Sequence, residues 1–438
     1  MGFLTFKGGV HPYDGKDMSK TCPTEKYLPR GEMVYPLSQH IGAPAVPVVG
    51  KGDAVLAGQM IAQAGGFVSA PVHASVSGTV KGIEPRLTAT GSKVNSIIIE
   101  NDGQYAETDY VPAKLEELSK EQILKRIQDG GVVGMGGAGF PTHVKLAPKN
   151  PDAIEYILVN GAECEPYITS DYRRMLDNSK ELVEGLKVIL SLFPKAKGYI
   201  CIEDNKPDCI MKLESLVKDL PRIEVKSLLT KYPQGGERTL IYATTGRMIN
   251  SSMLPADVGC IVDNVETVVA VYRAVVLGKP VTERIFTVTG DGIAAPAHYD
   301  VLTGTDMAEL IEAAGGLKSQ GGKVISGGPM MGFAMFDLHV PCTKTNSSLL
   351  CMEKDEVSEA VQTACINCGR CVQACPGHIV PARLATLAEH GDMEGFQKMD
   401  GMECCECGSC SYVCPAKRPL TQSIKSMRKM VLASRKKK

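Results

Sequence analysis

The spacing of apolar residues changes along the chain, and each change predicts a different kind of structure. Over residues 1–112, short alternating runs such as SGTVKGI and SIIIE sit among Gly, Pro and Val, which predicts small β units. From Ser119 helical and strand-like runs alternate. LSKEQILKRIQDGG reads as an amphipathic helix stopped by a glycine pair, AIEYILVN as an apolar strand, and SKELVEGLKVILSLF as a second helix. GYICIE, CIMKLESLVKDL and RIEVKSLL continue strand, helix, strand. Alternation of this kind predicts an α/β layer on a largely parallel sheet across residues 113–280. Residues 281–340 read as a small β-rich unit with one helix, 355–418 as short helices around cysteines, and 419–438 as a basic tail.

A chain of 438 residues has room for two to four domains. The most apolar run, VETVVAVYRAVVLG, carries Glu266 and Arg273 and falls short of the roughly 18 apolar residues that span a bilayer, so it is expected to be a packed helix. MGFLTFKGGVHPYDGKD shows no charged region followed by an apolar run, so no secretory leader is expected. Net charge is 48 − 49 = −1, which argues against general nucleic-acid binding. These features predict a soluble, cytosolic chain.

Sixteen cysteines change that picture, because nine of them lie between Cys365 and Cys414. Disulfides do not persist in a reducing compartment, and local clustering points to metal. CINCGRCVQACP places Cys365, Cys368, Cys371 and Cys375 at intervals of two, two and three residues before Pro376. Three thiolates this close can wrap one face of a cubane cluster, while the cysteine before proline serves the other cluster. MECCECGSCSYVCP repeats the spacing as Cys404, Cys407, Cys410 and Cys414 before Pro415, which leaves Cys405 over. Paired CxxC motifs also serve zinc; two complete copies with both terminal Cys-Pro pairs favour iron–sulfur. The expected ligand sets are Cys365, Cys368, Cys371 with Cys414, and Cys404, Cys407, Cys410 with Cys375, each for a [4Fe–4S] cluster. The remaining seven cysteines are expected to pack as small hydrophobes.

A second constellation is rich in glycine. GGVVGMGGAGFPTHVKL contains Gly134, Gly136, Gly137 and Gly139, followed by Lys145. It lacks the preceding strand of a dinucleotide fingerprint, yet glycines at this density bare backbone N–H groups and admit a flat or phosphorylated ligand. NGAECEP follows a strand end and carries Asn160, Glu163 and Glu165; YPQGGERT carries Gly236 and Glu237; VDNVETVV carries Asp263, Asn264 and Thr267. Each alone is ordinary turn or cap chemistry.

Together these segments resemble the flavin- and NADH-binding segments of the complex I 51 kDa flavoprotein family, with Met135 where that family usually has Arg and Cys164 between the two acids. GDAVLAGQMIAQAGGFVSAPVHASVSGTV resembles the barrel-sandwich hybrid of biotinyl and lipoyl carriers, without the modifiable Lys at its turn near Pro71 to Ser75. In the order TFKGGVHPYDGK opening, carrier-like domain, flavoprotein core, β-grasp unit and two ferredoxin runs, the whole chain resembles the RnfC subunits of the Rnf complex. The resemblance implies a multidomain α/β chain: a barrel-sandwich hybrid, a Rossmann-like flavoprotein core, an SLBB-like β-grasp unit and an α-helical ferredoxin domain. It implies noncovalent FMN lined by Gly134, Gly136, Gly137, Gly139 and Lys145. Asn160, Glu163, Glu165, Gly236, Glu237, Asn264 and Thr267 would complete the flavin and nicotinamide pocket.

The activity implied is ferredoxin:NAD oxidoreduction coupled to ion movement, with NAD(H) as substrate and the other Rnf subunits as partners, ferredoxin being reached through them. The implied place is peripheral, on the cytoplasmic face of the bacterial inner membrane. A flavin fits between nicotinamide, which moves two electrons, and clusters, which move one; no side chain need act as general acid or base. Two alternatives stay open, a cobalamin reductase of the PduS kind and a non-enzymatic electron-relay protein. Nine Lys or Arg and no acid between Ala416 and Lys438, with Leu420, Ile424, Met427 and Val431 at helical spacing, predict a basic helix that meets an acidic partner or an anionic membrane.

Overall fold

Residues 4–319 and 322–436 are described by the structure, a computed structural model. The alternating segments build a four-stranded, all-parallel sheet in the order Ile223–Leu228, Lys197–Glu203, Tyr156–Gly161, Cys260–Asn264. The central strands are apolar without alternation because both faces are covered. Helices Ser179–Leu192 and Val265–Tyr272 contribute Leu186, Ile189, Val268 and Val271 to the core on one face. Helix Glu237–Thr245 packs Leu240 and Ile241 against Leu158 and Val262 on the other. The chain leaves Tyr156–Gly161 in one direction and returns on its other side, so strand order reverses between Tyr156–Gly161 and Cys260–Asn264. A crevice at such a reversal, beyond the strands' carboxyl ends, is where open α/β sheets take ligands.

The helix Lys120–Asp129 begins at a capping box, in which Ser119 and Gln122 satisfy each other's backbone N–H groups, as LSKEQ predicts. VETVVAVYRAVVLG is a packed helix, Val265–Tyr272, continued by a wider turn at Arg273–Leu277. Among the described residues no helix is long and apolar enough to cross a membrane.

The carrier-like unit is a sandwich of a four-stranded and a three-stranded sheet around Met33, Tyr35, Ile61, Val80, Ile97 and Ile99. Pro71 to Ser75, expected as its turn, instead hold the buried strand Val72–His73, paired with Met60–Gln63; the chain turns earlier, at residues 64–70, where Phe67 is exposed. Ahead of that strand, the Pro71 carbonyl accepts a bond at 2.7 Å from Lys344, which also reaches the Gly131 carbonyl at 2.7 Å. One lysine thereby ties the β sandwich to the flavoprotein-type core.

The residues at the start of the chain make their pairings outside this sandwich. Leu4 bridges Leu228 and Val10 bridges Tyr232, both in the parallel-sheet unit. Thr24–Tyr27 adds a parallel edge strand to Ala297–Leu302 in the β-grasp sheet, which on its other side takes in Ser348–Met352. Helix Met307–Ala313 covers that sheet through Met307, Leu310 and Ile311.

The cysteine-rich unit is helical, and its core corrects the expectation of a separate tail. Helix Leu420–Lys436 buries Leu420, Ile424, Met427 and Val431 at 0–1% exposure against Leu384, Ala385 and Phe396. These four residues recur at helical spacing because they are core positions, and the helix is integral to this unit.

Candidate functional site

Asn160 and Asn264 end neighbouring strands and are register partners, so the two amides stand together at the crevice. Asn264 caps the helix Val265–Tyr272 by accepting the Glu266 N–H at 2.9 Å, and donates to Asp171 at 2.6 Å. Asn160 donates to the Gly235 carbonyl at 2.8 Å, which holds the YPQGGE loop against the strand end. Over this pair lies the glycine loop that joins the helices Lys120–Asp129 and Thr142–Lys145. Thr267 accepts the Met135 N–H at 2.9 Å and anchors it. A Cβ on Gly136 would fall 2.8 Å from the Asn264 Cβ; one on Gly137 would meet nothing within 4 Å. Gly134 closes the loop with a 2.9 Å bond to Phe140 O, and Gly139, at φ 71°, abuts Gln39 and His40 of the β sandwich. Gly236 precedes the helix Glu237–Thr245, packed on Thr239.

Lys145 donates to Val262 O at 2.7 Å and to Asp263 Oδ1 at 2.8 Å, with Glu237 a charge neighbour of both side chains. Asp263 Oδ2 and Gln234 Nε2 are buried and have no partner among the described residues. Orphaned atoms of this kind are rare without a ligand or water to satisfy them. The open glycines, the orphaned oxygen and amide, and the remaining N–H of Lys145 fit a phosphorylated, hydroxyl-bearing ligand such as FMN.

The two acids of NGAECEP have other partners. Glu163, at φ 47°, accepts from Asp171 N at 2.6 Å and Tyr172 N at 3.3 Å, so it caps the helix Ser170–Asp177. Glu165 accepts from Met330 N at 2.6 Å and Met331 N at 3.1 Å, holding the β-grasp loop to the core. Burial raises the pKa of both carboxyls. Cys164 between them accepts the Gly235 N–H at 3.2 Å.

Beneath the crevice, Arg174 grips Glu266 through two bonds of 2.6 and 2.7 Å. Burial alone would raise the Glu266 carboxyl; the Arg174 charge and fork hold it low. Asp171, Lys16 and Tyr232 join the site, although none of them is singled out within the motif segments. Burial, and then the Glu163 charge, push Asp171 up to about 7. Lys16 is 4% exposed and donates to Ile168 O at 2.6 Å and Glu165 O at 3.0 Å; its only signal is the KD that ends the opening glycine-rich segment. Tyr232 has none beyond its place before Pro233.

The cysteines line two cavities. Cys365, Cys368, Cys371 and Cys414 surround one of about 200 Å³, and Cys375, Cys404, Cys407 and Cys410 surround one of about 20 Å³, with Cys405 also on its wall. The backbone repeats between the runs. Asn367 and Glu406 have φ 54° and 57°, Gly369 and Gly408 φ 74° and 82°, His378 and Lys417 φ 53° and 52°. In that register Cys404 stands where Cys365 stands, and Cys405 where Ile366 stands. Among the described residues no three Cys, His, Asp or Glu converge to hold a single ion. Thiolates spaced round a cavity suit a polynuclear cluster better than zinc, whose ligands meet at about 2.3 Å from one centre.

The RnfC barrel sandwich hybrid domain family matches residues 4–104, the Nuo51 FMN-binding domain family 127–273, the SLBB domain family 285–334 and the 4Fe-4S dicluster domain family 364–417. The RnfC-type component of the Na(+)-translocating ferredoxin:NAD(+) oxidoreductase complex of Acetobacterium woodii is 42% identical over 99% of this chain and 98% of its own. Its counterpart in the proton-translocating ferredoxin:NAD(+) oxidoreductase complex of Clostridium ljungdahlii is 43% identical over 88% and 84%. The counterpart in the ion-translocating oxidoreductase complex of Pseudomonas aeruginosa is 40% identical over 87% of this chain and 50% of its own. An NAD+-reducing [NiFe]-hydrogenase in the H2-reduced state aligns over 74% of this chain and 63% of that one, at 18% identity and a TM-score of 0.49. The order of matched domains and the identity along nearly the full length make this chain a member of the RnfC family, whose members are components of ion-translocating ferredoxin:NAD(+) oxidoreductase complexes.

Proposed function

We propose that this chain is the nicotinamide-interacting subunit of a ferredoxin:NAD oxidoreductase complex, carrying electrons between NAD(H), FMN and two [4Fe–4S] clusters. The observation that carries the reading is the joining of three sites in one chain: the switch-point crevice under the glycine loop and the two four-sulfur cavities. When bound, FMN supplies the exchange between two-electron and one-electron transfer. The chain's own residues do the rest. Asn160, Asn264 and Thr267 fix the loops that frame the crevice, Lys145 and Asp263 offer a cation and an acceptor at its floor, and Glu163 and Glu165 lock the NGAECEP segment between helix and β-grasp loop. The eight cysteines Cys365, Cys368, Cys371, Cys375, Cys404, Cys407, Cys410 and Cys414 would hold the clusters. The chain would sit peripherally on the cytoplasmic face of the cell membrane through the other members of the complex.

The test is anaerobic purification with flavin and iron counted, followed by NADH-dependent reduction of an artificial acceptor. About one FMN and eight iron per chain with NADH oxidation is the expected result. Iron and flavin without NADH oxidation would favour the relay reading, and reduction of a corrinoid in preference to other acceptors the cobalamin reductase.

A further inference from the structure

The TFKGGV opening and the YPQGGE loop meet the ferredoxin-like unit at one place. Val10 and Tyr232 exchange backbone bonds of 2.8 and 2.9 Å, and Gly9 donates to Ala374 O at 2.8 Å. A Cβ on Gly8 would lie 2.8 Å from Cys375 O, so only glycine lets the strap pass this close. Tyr232 is 2% exposed, and its hydroxyl donates to the Cys407 carbonyl at 2.6 Å. Val10, Tyr232, Ala374 and Cys407 form one buried apolar cluster, with Cys164 and Met330 packed on it. Three residues further along the same loop, Gly235 holds Asn160 at the crevice. One short loop thus runs from the crevice to the wall of the cavity lined by Cys375, Cys404, Cys407 and Cys410. The other cavity has an exposed wall, residues 365–369, and none of its lining residues belongs to the strap or the YPQGGE loop.

We propose that Tyr232 is a positioning residue that ties the crevice to the cavity of Cys375, Cys404, Cys407 and Cys410, and that its hydroxyl raises the reduction potential of the cluster held there. The inference rests on the reading of that cavity as a cluster site. Oxidation of one NADH to NAD+ yields two electrons and one proton, and two oxidised clusters take up one electron each. The added negative charge is stabilised by dipoles directed at the cluster, and its potential follows hydrogen bonding and burial around the sulfurs. An O–H donated to the carbonyl of Cys407 offsets the negative end of that carbonyl beside the site. Removing it makes the reduced cluster less favourable.

The experiment is an EPR-monitored redox titration of the full-length holoprotein with Tyr232→Phe, and with a fluorinated tyrosine placed at 232 by amber suppression. The signal belonging to this cavity is identified as the one missing from Cys404→Ser. Tyr232→Phe should lower the reduction equilibrium constant of that one cluster by a factor of about two to five, the upper figure being one whole net hydrogen bond, and leave the other cluster in place. The fluorinated phenol, a stronger donor of the same shape, should shift it the opposite way, which keeps the test informative if the Phe variant loses iron. Unmoved potentials in the fluorinated protein, or equal shifts of both clusters, would overturn the proposal and leave Tyr232 as packing. Absence of iron from the unsubstituted protein would overturn both this inference and the reading beneath it.

Discussion

Two neighbouring glycines of the flavin-type loop should respond to the same methyl group in different ways. At Gly136 a Cβ falls 2.8 Å from the Cβ, Cγ and Nδ2 region of Asn264, and that side chain must shift. Asn264 caps a helix and donates to Asp171, so its displacement costs about 1 kcal/mol for the cap and roughly 1–3 kcal/mol for the bond to a carboxylate. A loss of roughly 2–4 kcal/mol in a unit of this size lowers the thermal midpoint by roughly 4–16 °C. At Gly137 the Cβ meets nothing within 4 Å, and the residue is not at positive φ. Gly137→Ala should therefore leave the flavin-free midpoint unchanged or raise it by a fraction of about 1 kcal/mol through the unfolded state. Flavin binding discriminates in the other sense. If FMN lies against this loop, a methyl at Gly137 overpacks the ligand by about 1–3 kcal/mol, which weakens affinity by roughly 5- to 150-fold. The assay pairs acid-released flavin per chain with calorimetric melts of the flavin-free protein. Gly136→Ala should lose both stability and flavin, and Gly137→Ala flavin alone. Full flavin content and undiminished affinity in Gly137→Ala would show that the open space over this loop is not where the flavin binds.

The shared backbone register of the two cysteine runs makes Cys404, not Cys405, the counterpart of Cys365. Cys404→Ser should cut iron from about eight toward about four per chain, while Cys405→Ser keeps both clusters; iron loss confined to the Cys405 variant would reverse the assignment. Lys344 gives a pH dependence of stability. Burial lowers its pKa from 10.5 to about 7, so between these values the unfolded chain holds the extra proton and stability rises with pH. In urea titrations from pH 7 to 10 the rise should be smaller for Lys344→Met than for the unsubstituted protein, and equal slopes would refute the assignment.

The order of domains, the parallel sheet and the cysteine spacing were legible because each rests on a local pattern. Strands covered on both faces read as unbroken apolar runs, and thiolates that wrap a cluster must recur at short intervals. What escaped depends on partners far away in sequence. TEKY has no alternation to announce a strand, and Thr24–Tyr27 becomes one only because Ala297–Leu302 offers a free edge. Glu163 caps a helix from seven residues upstream of its first residue, Ser170, outside the positions where capping motifs are sought. Lys16 and Lys344 are lysines whose burial is decided by carbonyls of other units. Asp263 was visible in VDNVET, yet its importance comes from an oxygen left without a partner, which no spacing reveals.

The C-terminal helix shows how a correct local reading can imply the wrong experiment. Its basic, amphipathic pattern suggests a detachable membrane or partner anchor, to be tested by deletion. Leu420 lines one cysteine cavity, and Thr421 and Ile424 the other, so deletion would open both and confuse docking with cofactor loss. Arg418 pairs with Glu389 at 2.7 Å, and Arg428 with Glu406, which also lies near Lys425. Lys429 and Arg435 are exposed and form no salt bridge among the described residues; Arg435 reaches only Gln397, at 3.3 Å. If this helix face meets an anionic surface, Lys429→Gln with Arg435→Gln should weaken binding of the holoprotein to phosphatidylserine-containing vesicles by roughly thirty-fold at low salt, at about 1 kcal/mol per charge. Flavin and iron should stay at their unsubstituted values, because neither side chain lines a cavity. Vesicle binding as tight as that of the unsubstituted protein, with cofactors intact, would refute the anchor and leave these two charges as a solvated face.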